Sequence, residues 1–136
     1  MKQTFEFSSH PSNLASVRAF VRQFLKCTSV PESQTELLVL GIDEACSNII
    51  RHAYRQLASQ PITLSCEQLE RALRFTLRDF GEHADPAQFN GRPLDDLAPG
   101  GLGLHLIRKA FDQVDYNLKT LGTELILVKA IDSSAA

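Results

Sequence analysis

Apolar and polar residues alternate across Thr4-Phe5-Glu6-Phe7, the period of a half-buried strand. After His10-Pro11 the period changes. Leu14, Val17, Phe20, Val21, Phe24 and Leu25 recur three and four residues apart, which predicts an amphipathic helix with Ser12 as its N-cap. Pro31-Glu32 restarts the chain, and a second helical segment is expected from about Ser33 to Leu57. Ile62, Leu64 and Cys66, then Leu73, Phe75 and Leu77, return to alternation and predict an antiparallel hairpin turning across Gln68 to Arg71. Residues 80 to 101 lose periodicity and collect prolines and glycines, the mark of a functional loop in a small domain. A third helix is expected from Leu102 to Phe111, then strands Val114 to Leu118 and Glu124 to Ile131 around a turn at Leu121-Gly122. The order β-α-α-β-β-loop-α-β-β predicts an α+β fold, a two-layer α/β sandwich whose mostly antiparallel mixed sheet carries helices on one face. Residues 1–132 are expected to form one domain, with 133–136 a disordered tail.

Composition narrows the function classes. A chain of 136 residues, 43% hydrophobic and 22% charged, supports one ordinary core. Its net charge of −2 lacks the basic footprint of a nucleic-acid binder. The longest apolar run falls far short of the ~20 residues a spanning helix needs, so no membrane role is expected. The opening residues, alternating as they do, are not the apolar run of a secretion signal. Cys27, Cys46 and Cys66 are odd in number and show no CxxC, which reads as free buried thiols in a reducing, cytoplasmic setting.

Four groups of residues carry candidate chemistry. On the second helix Glu44, Asn48, Arg51 and Arg55 share one stripe, with Ile42, Ala45, Ile49 and Ala53 turned toward the other side. By itself the stripe also describes a solvated face with helical acid–base pairs. Asn mid-helix is costly, however, and an Asn one turn from a Glu offers an oxygen pair suited to a hydrated Mg²⁺. Arg78-Asp79-Phe80-Gly81 puts a carboxylate at a strand end, followed by a Gly that lets a flat ligand approach; a plain strand-to-turn exit has the same pattern. Pro99-Gly100-Gly101-Leu102-Gly103-Leu104 leads into a helix, where exposed amides and the positive dipole end suit an anion, as they also suit a simple hinge. Gly122-Thr123 opens the last strand. Leu37 and Leu40 lie on the side of the second helix that carries Glu44, where they suggest contact with a partner or a second copy of the chain.

Taken in order, Glu44-x-x-x-Asn48-x-x-x-His52-Ala53-Tyr54, Asp79-x-Gly81, Gly100-Gly101-x-Gly103-Leu104 and Gly122-Thr123 resemble the asparagine box and the three glycine boxes of the GHKL ATPase/kinase superfamily. The Glu-Ala start and His-Ala-Tyr end of the first box, on a chain of this length, are similar to the anti-sigma-factor serine kinases of bacterial partner-switching systems. That resemblance implies the GHKL ATPase fold and ATP with Mg²⁺ as cofactors. Glu44 would be the general base toward a serine hydroxyl, and Asn48 would ligate Mg²⁺, with His52 in the same box. Asp79 would bond the adenine amine beside Gly81. Gly100, Gly101, Gly103 and Leu104 would form the lid hinge and phosphate-facing backbone, and Thr123 would sit near the adenine. The implied partners are a STAS-type antagonist as substrate and a sigma factor or other effector that is sequestered, with a homodimer fitting the family. A nucleotide-gated sequestering module with weak or lost phosphotransfer is the alternative. Three positions depart from the family pattern: His83 stands where a glycine is usual, Ala98-Pro99 replace an Arg before the lid glycines with Arg92 the nearest upstream, and Leu121 replaces an Asn.

Overall fold

The computed structural model describes residues 1–83 and 101–131, with side chains in the second stretch described from residue 105. The expected loop from residue 84, Gly100, and the tail from residue 132 lie outside the described residues. The strands are β1 (Lys2–Ser8), β2 (Pro61–Gln68), β3 (Ala72–Asp79), β4 (Gln113–Leu118) and β5 (Thr123–Ala130), and the helices are α1 (Leu14–Lys26), α2 (Glu32–Asn48) and α3 (Gly101–Ala110). They build a five-stranded sheet in the order β1-β2-β3-β5-β4. Every pairing is antiparallel, which corrects the expected mixed sheet. With two helices between β1 and β2 the chain reverses three times, which leaves those strands antiparallel. A single helix makes β4 parallel to β3, but β5 inserts between them and the two never pair.

Period-two alternation sets the buried face. Ile62, Leu64 and Cys66 of β2, Leu73, Phe75 and Leu77 of β3, and Leu125 and Leu127 of β5 are all buried. They meet Val17, Val21, Phe24 and Leu25 of α1, Leu38, Val39, Ile42, Ala45 and Cys46 of α2, and Ile107 and Ala110 of α3. Phe75 sits at the centre, edge-on to Phe24 at 5.9 Å and to Phe111 at 5.7 Å. Each such buried ring contributes roughly 1.5–3 kcal/mol of transfer free energy.

Four expectations change. Ser12 is not the N-cap of the first helix: Pro11–Asn13 form a 3-10 turn, and His10 Nδ1 accepts the Ser12 N–H at 3.1 Å, so the α-helix starts at Leu14. The second helix does not reach Leu57. After Asn48 it widens into a π-helical turn, Ile49–Ala53, with the Tyr54 N–H reaching the Ile49 carbonyl, and Arg55 and Gln56 then turn to φ 50° and 65°. Cys27 is exposed at the end of α1, while Cys46 and Cys66 are buried; all three are free thiols. Leu37 packs against the core, leaving Leu40, 47% exposed, as the apolar residue of that pair that faces water.

Candidate functional site

Glu44 and Asn48 lie one turn apart on α2, and Arg51 follows in the wide turn. An Arg51 guanidinium nitrogen donates to Glu44 Oε1 and to Asn48 Oδ1, both at 2.9 Å. The carboxylate and guanidinium are about three-quarters covered, where a charge-assisted bond is stronger than in open water. Asn48 is buried, 7% exposed, so the stripe is not a solvated face at its centre. Among the described residues, its Nδ2 and the Arg51 Nε are buried donors that meet no partner. Buried polar groups are overwhelmingly satisfied, so these two neighbouring donors are candidates to meet the acceptors of a ligand. Arg55, expected on the same stripe, leaves it because the helix has ended; it is exposed and pairs with Glu82 at 2.8 Å.

Asp79 is the second unusual group. Leu73, Phe75 and Leu77 set the inward parity of β3, and Asp79 continues it, opposite Ile62. A carboxylate therefore stands where the pleat demands an apolar side chain, 3% exposed. Its Oδ1 accepts the Gly81 N–H at 2.9 Å, and the Thr123 N–H also donates to the carboxylate. Burial holds the carboxyl above its usual range, outweighing those amides and the nearby Arg78 and His83. The alternation of β3 already contained this signal: an acid in phase with three core residues is either an error or a site.

The end of α2 and the exit of β3 are tied together. Tyr54 donates its hydroxyl to the Pro61 carbonyl at 2.6 Å and accepts the Phe80 N–H at 2.7 Å. Glu82 N–H donates to the Ala53 carbonyl at 2.8 Å. Gly81 is required here, because a Cβ would overlap that carbonyl. Gly122, at φ 79°, presses on the Asp79 carbonyl in the same way and leads into Thr123. His83 Nε2 donates to the Lys119 carbonyl at 2.7 Å. Beside this junction lies a pocket of about 260 Å³ lined by Ala53, Tyr54, Gly81 and Leu121 among others.

The structure thus brings Asp79, Gly81 and Thr123 into one cluster and Glu44 and Asn48 into another on α2, with Arg51 added to the second. His52 is half-buried in the wide turn and engaged with its surroundings. Gly101 and Gly103 belong to the first turn of α3, and Leu104 follows them. Tyr54 as a clamp and Arg51 as a bridge were not singled out in the sequence. Arg51 was visible on the stripe; the Tyr54 bonds join residues far apart in the chain and leave no local pattern. Among the described residues no three His, Cys, Asp or Glu side chains gather as a metal cluster, and no helix is long and apolar enough to cross a membrane.

The profile of the histidine kinase-like ATPase domain matches residues 7–129. The chain belongs to this family. Within it, the chain is 36% identical over 83 residues to the serine/threonine-protein kinase BtrW of Bordetella bronchiseptica, covering 58% of each protein. It is 31% identical over 88 residues to the serine-protein kinase RsbW of Halalkalibacterium halodurans, covering 59% of this chain and 53% of that one. The ATPase domain therefore matches little more than half the length of these curated relatives. Its backbone resembles the crystal structure of the RsbU and RsbW domains of Rv1364c from Mycobacterium tuberculosis, with a TM-score of 0.70 and 17% identity over 95% of this chain and 31% of that chain. It also resembles the histidine kinase domain of the Erythrobacter litoralis EL346 blue-light activated histidine kinase, with a TM-score of 0.63 and 15% identity over 92% of this chain and 62% of that chain. These two likenesses establish the α+β fold that the element order predicted.

Proposed function

We propose that this ATPase domain is an ATP- and Mg²⁺-dependent protein serine kinase of the partner-switching kind. It phosphorylates a STAS-type antagonist and holds a sigma factor or comparable effector, which phosphorylation of the antagonist leaves sequestered. The observation that carries this reading is Asp79, a buried carboxylate fixed by the Gly81 amide at 2.9 Å in the inward row of β3. A desolvated acceptor backed by a side-chain-free residue suits the exocyclic amine of a flat base. Names of relatives add the reaction class: serine or serine/threonine protein kinases.

The residues fit the cofactors the family implies. Glu44 Oε1 and Asn48 Oδ1 converge on a single cationic nitrogen at 2.9 Å each, so this spot already accommodates positive charge between two oxygens. Few protein oxygens suffice for Mg²⁺, which takes its remaining ligands from phosphate and water. When bound, it would supply neutralisation of the polyphosphate charge. In this reading Asn48 would hold the metal, Asp79 and Thr123 the base, and Gly100, Gly101, Gly103 and Leu104 the phosphates. Glu44 would accept the proton of the incoming serine hydroxyl, and positioning of that hydroxyl is the larger part of the catalysis.

The test compares wild type with Glu44→Ala, using γ-labelled ATP, Mg²⁺ and an extract of the source cell. Expected is a small protein labelled on serine by wild type alone, while Mg-ATP raises the melting temperature of both proteins. Absence of any melting shift in wild type overturns the nucleotide reading. A shift without a labelled band moves the assignment to a nucleotide-gated sequestering module. His83 favours that second reading, since its ring is committed to the Lys119 carbonyl at a position where the family carries glycine.

A further inference from the structure

We propose that Arg51 is the resident cation of the α2 site and competes with the divalent metal for Asn48 Oδ1, so that metal loading requires Arg51 to release that oxygen. The inference rests on the nucleotide reading above and adds a regulation of the same site. One Arg51 nitrogen satisfies both Glu44 Oε1 and Asn48 Oδ1 at 2.9 Å, and this is the oxygen pair that suits a hydrated metal. A dication and a guanidinium sharing one amide oxygen would place like charges side by side in a half-buried setting, where screening is weak. The two ions therefore exclude each other at Asn48.

The arrangement is also poised to change. Among the described residues, Arg51 Nε and Asn48 Nδ2 are buried and meet no partner, so there the Arg51-bound form leaves two donors unsatisfied beside the oxygens it satisfies. Both orphans are donors and only an acceptor relieves them; an anionic ligand brings acceptors, a bare metal ion does not. Metal alone is thus held off by Arg51, and metal with a polyphosphate is admitted. Glu44 remains the second anchor of the guanidinium, which makes Arg51 a positioning residue for that carboxylate rather than a catalytic one.

Calorimetric titration of ATP into wild type, Arg51→Met and Arg51→Lys tests this, at a series of Mg²⁺ concentrations and in excess chelator. The readout is the Mg²⁺ concentration giving half of the metal-dependent gain in affinity, which is independent of turnover. For Arg51→Met, which keeps the aliphatic stem without the charge, that concentration should fall about tenfold, the scale of one charged hydrogen bond. Arg51→Lys, which keeps the charge on a shorter stem and without the planar guanidinium, should fall in between. An Mg²⁺ requirement unchanged or raised in Arg51→Met overturns the exchange, and the same result in Arg51→Lys overturns it if Arg51→Met does not fold. If wild type binds no ATP with or without Mg²⁺, the nucleotide reading fails and this inference with it; if wild type binds and the variants do not shift, the exchange alone falls.

Discussion

Gly81 sits so close to Ala53 that a Cβ on the glycine would overlap the Ala53 carbonyl oxygen, the same oxygen that accepts the Glu82 N–H at 2.8 Å. This contact fixes the exit of β3 against the end of α2, and so sets where Asp79 stands relative to the helix that carries Glu44 and Asn48.

Gly81→Ala should therefore act on both stability and ligand response. The obstacle is backbone, which cannot swing aside as a flexible side chain can, so the cost is that of overpacking, about 1–3 kcal/mol. Denaturant midpoints should drop accordingly, and Mg-ATP should no longer raise the melting temperature. A variant with unaltered stability would show that the junction yields easily.

Tyr54→Phe removes a hydroxyl that donates to Pro61 and accepts from Phe80. The Phe80 N–H then loses its acceptor, at a cost of about 1–3 kcal/mol. For a chain of this length that lowers the melting temperature by about 4 °C per kcal/mol. Faster amide exchange at Phe80 and Gly81 should accompany the loss, and unchanged exchange there would count against the clamp.

Asp79 gives a pH dependence whose sign follows from its burial. Its folded pKa is raised above the ordinary 3.8, so the unfolded chain ionises first as pH increases. The contribution of this group to stability is complete below the ordinary value and is lost as pH rises through the raised folded value. Asp79→Asn keeps an acceptor for the Gly81 amide and does not titrate. Without nucleotide, the stability of the variant relative to wild type should climb from acid toward neutral pH and then level off, while the Mg-ATP melting shift disappears. A pH-independent difference in unfolding free energy would contradict the burial argument.

Thiol chemistry should separate the cysteines cleanly. Cys27 is exposed, whereas Cys46 is pushed well above the ordinary thiol range and Cys66 up to about 12, both by burial. A disulfide reagent should titrate one thiol per chain in the native protein and all three in denaturant. Rapid native reaction of two or more would show that the α2–β2 contact opens.

Much of the fold was legible because the apolar periods of β2, β3 and α1 are clean, and a strand or helix that must bury one face repeats its period in the chain. The exit from α2 was not. Ile49-Ile50-Arg51-His52-Ala53 continues a helical pattern, and Leu57 extends it in phase, yet the helix widens and ends because the Ala53 carbonyl and the Tyr54 hydroxyl are bonded to the β3 exit. Those partners lie 26 or more residues away in sequence, and no local signal encodes them.

The sequence by itself determined the layer architecture and the residues with chemical potential, through periodicity and through polar side chains placed where propensity and parity disfavour them. Asn48 in mid-helix and Asp79 in phase with Leu73, Phe75 and Leu77 are both of this kind. Only the tertiary structure decided that the two are buried, that β5 separates β3 from β4, and that Arg51 bridges Glu44 and Asn48 while Arg55 turns away. Burial and bridging depend on which distant surfaces meet, and those contacts exist only once the sheet has closed over the helices.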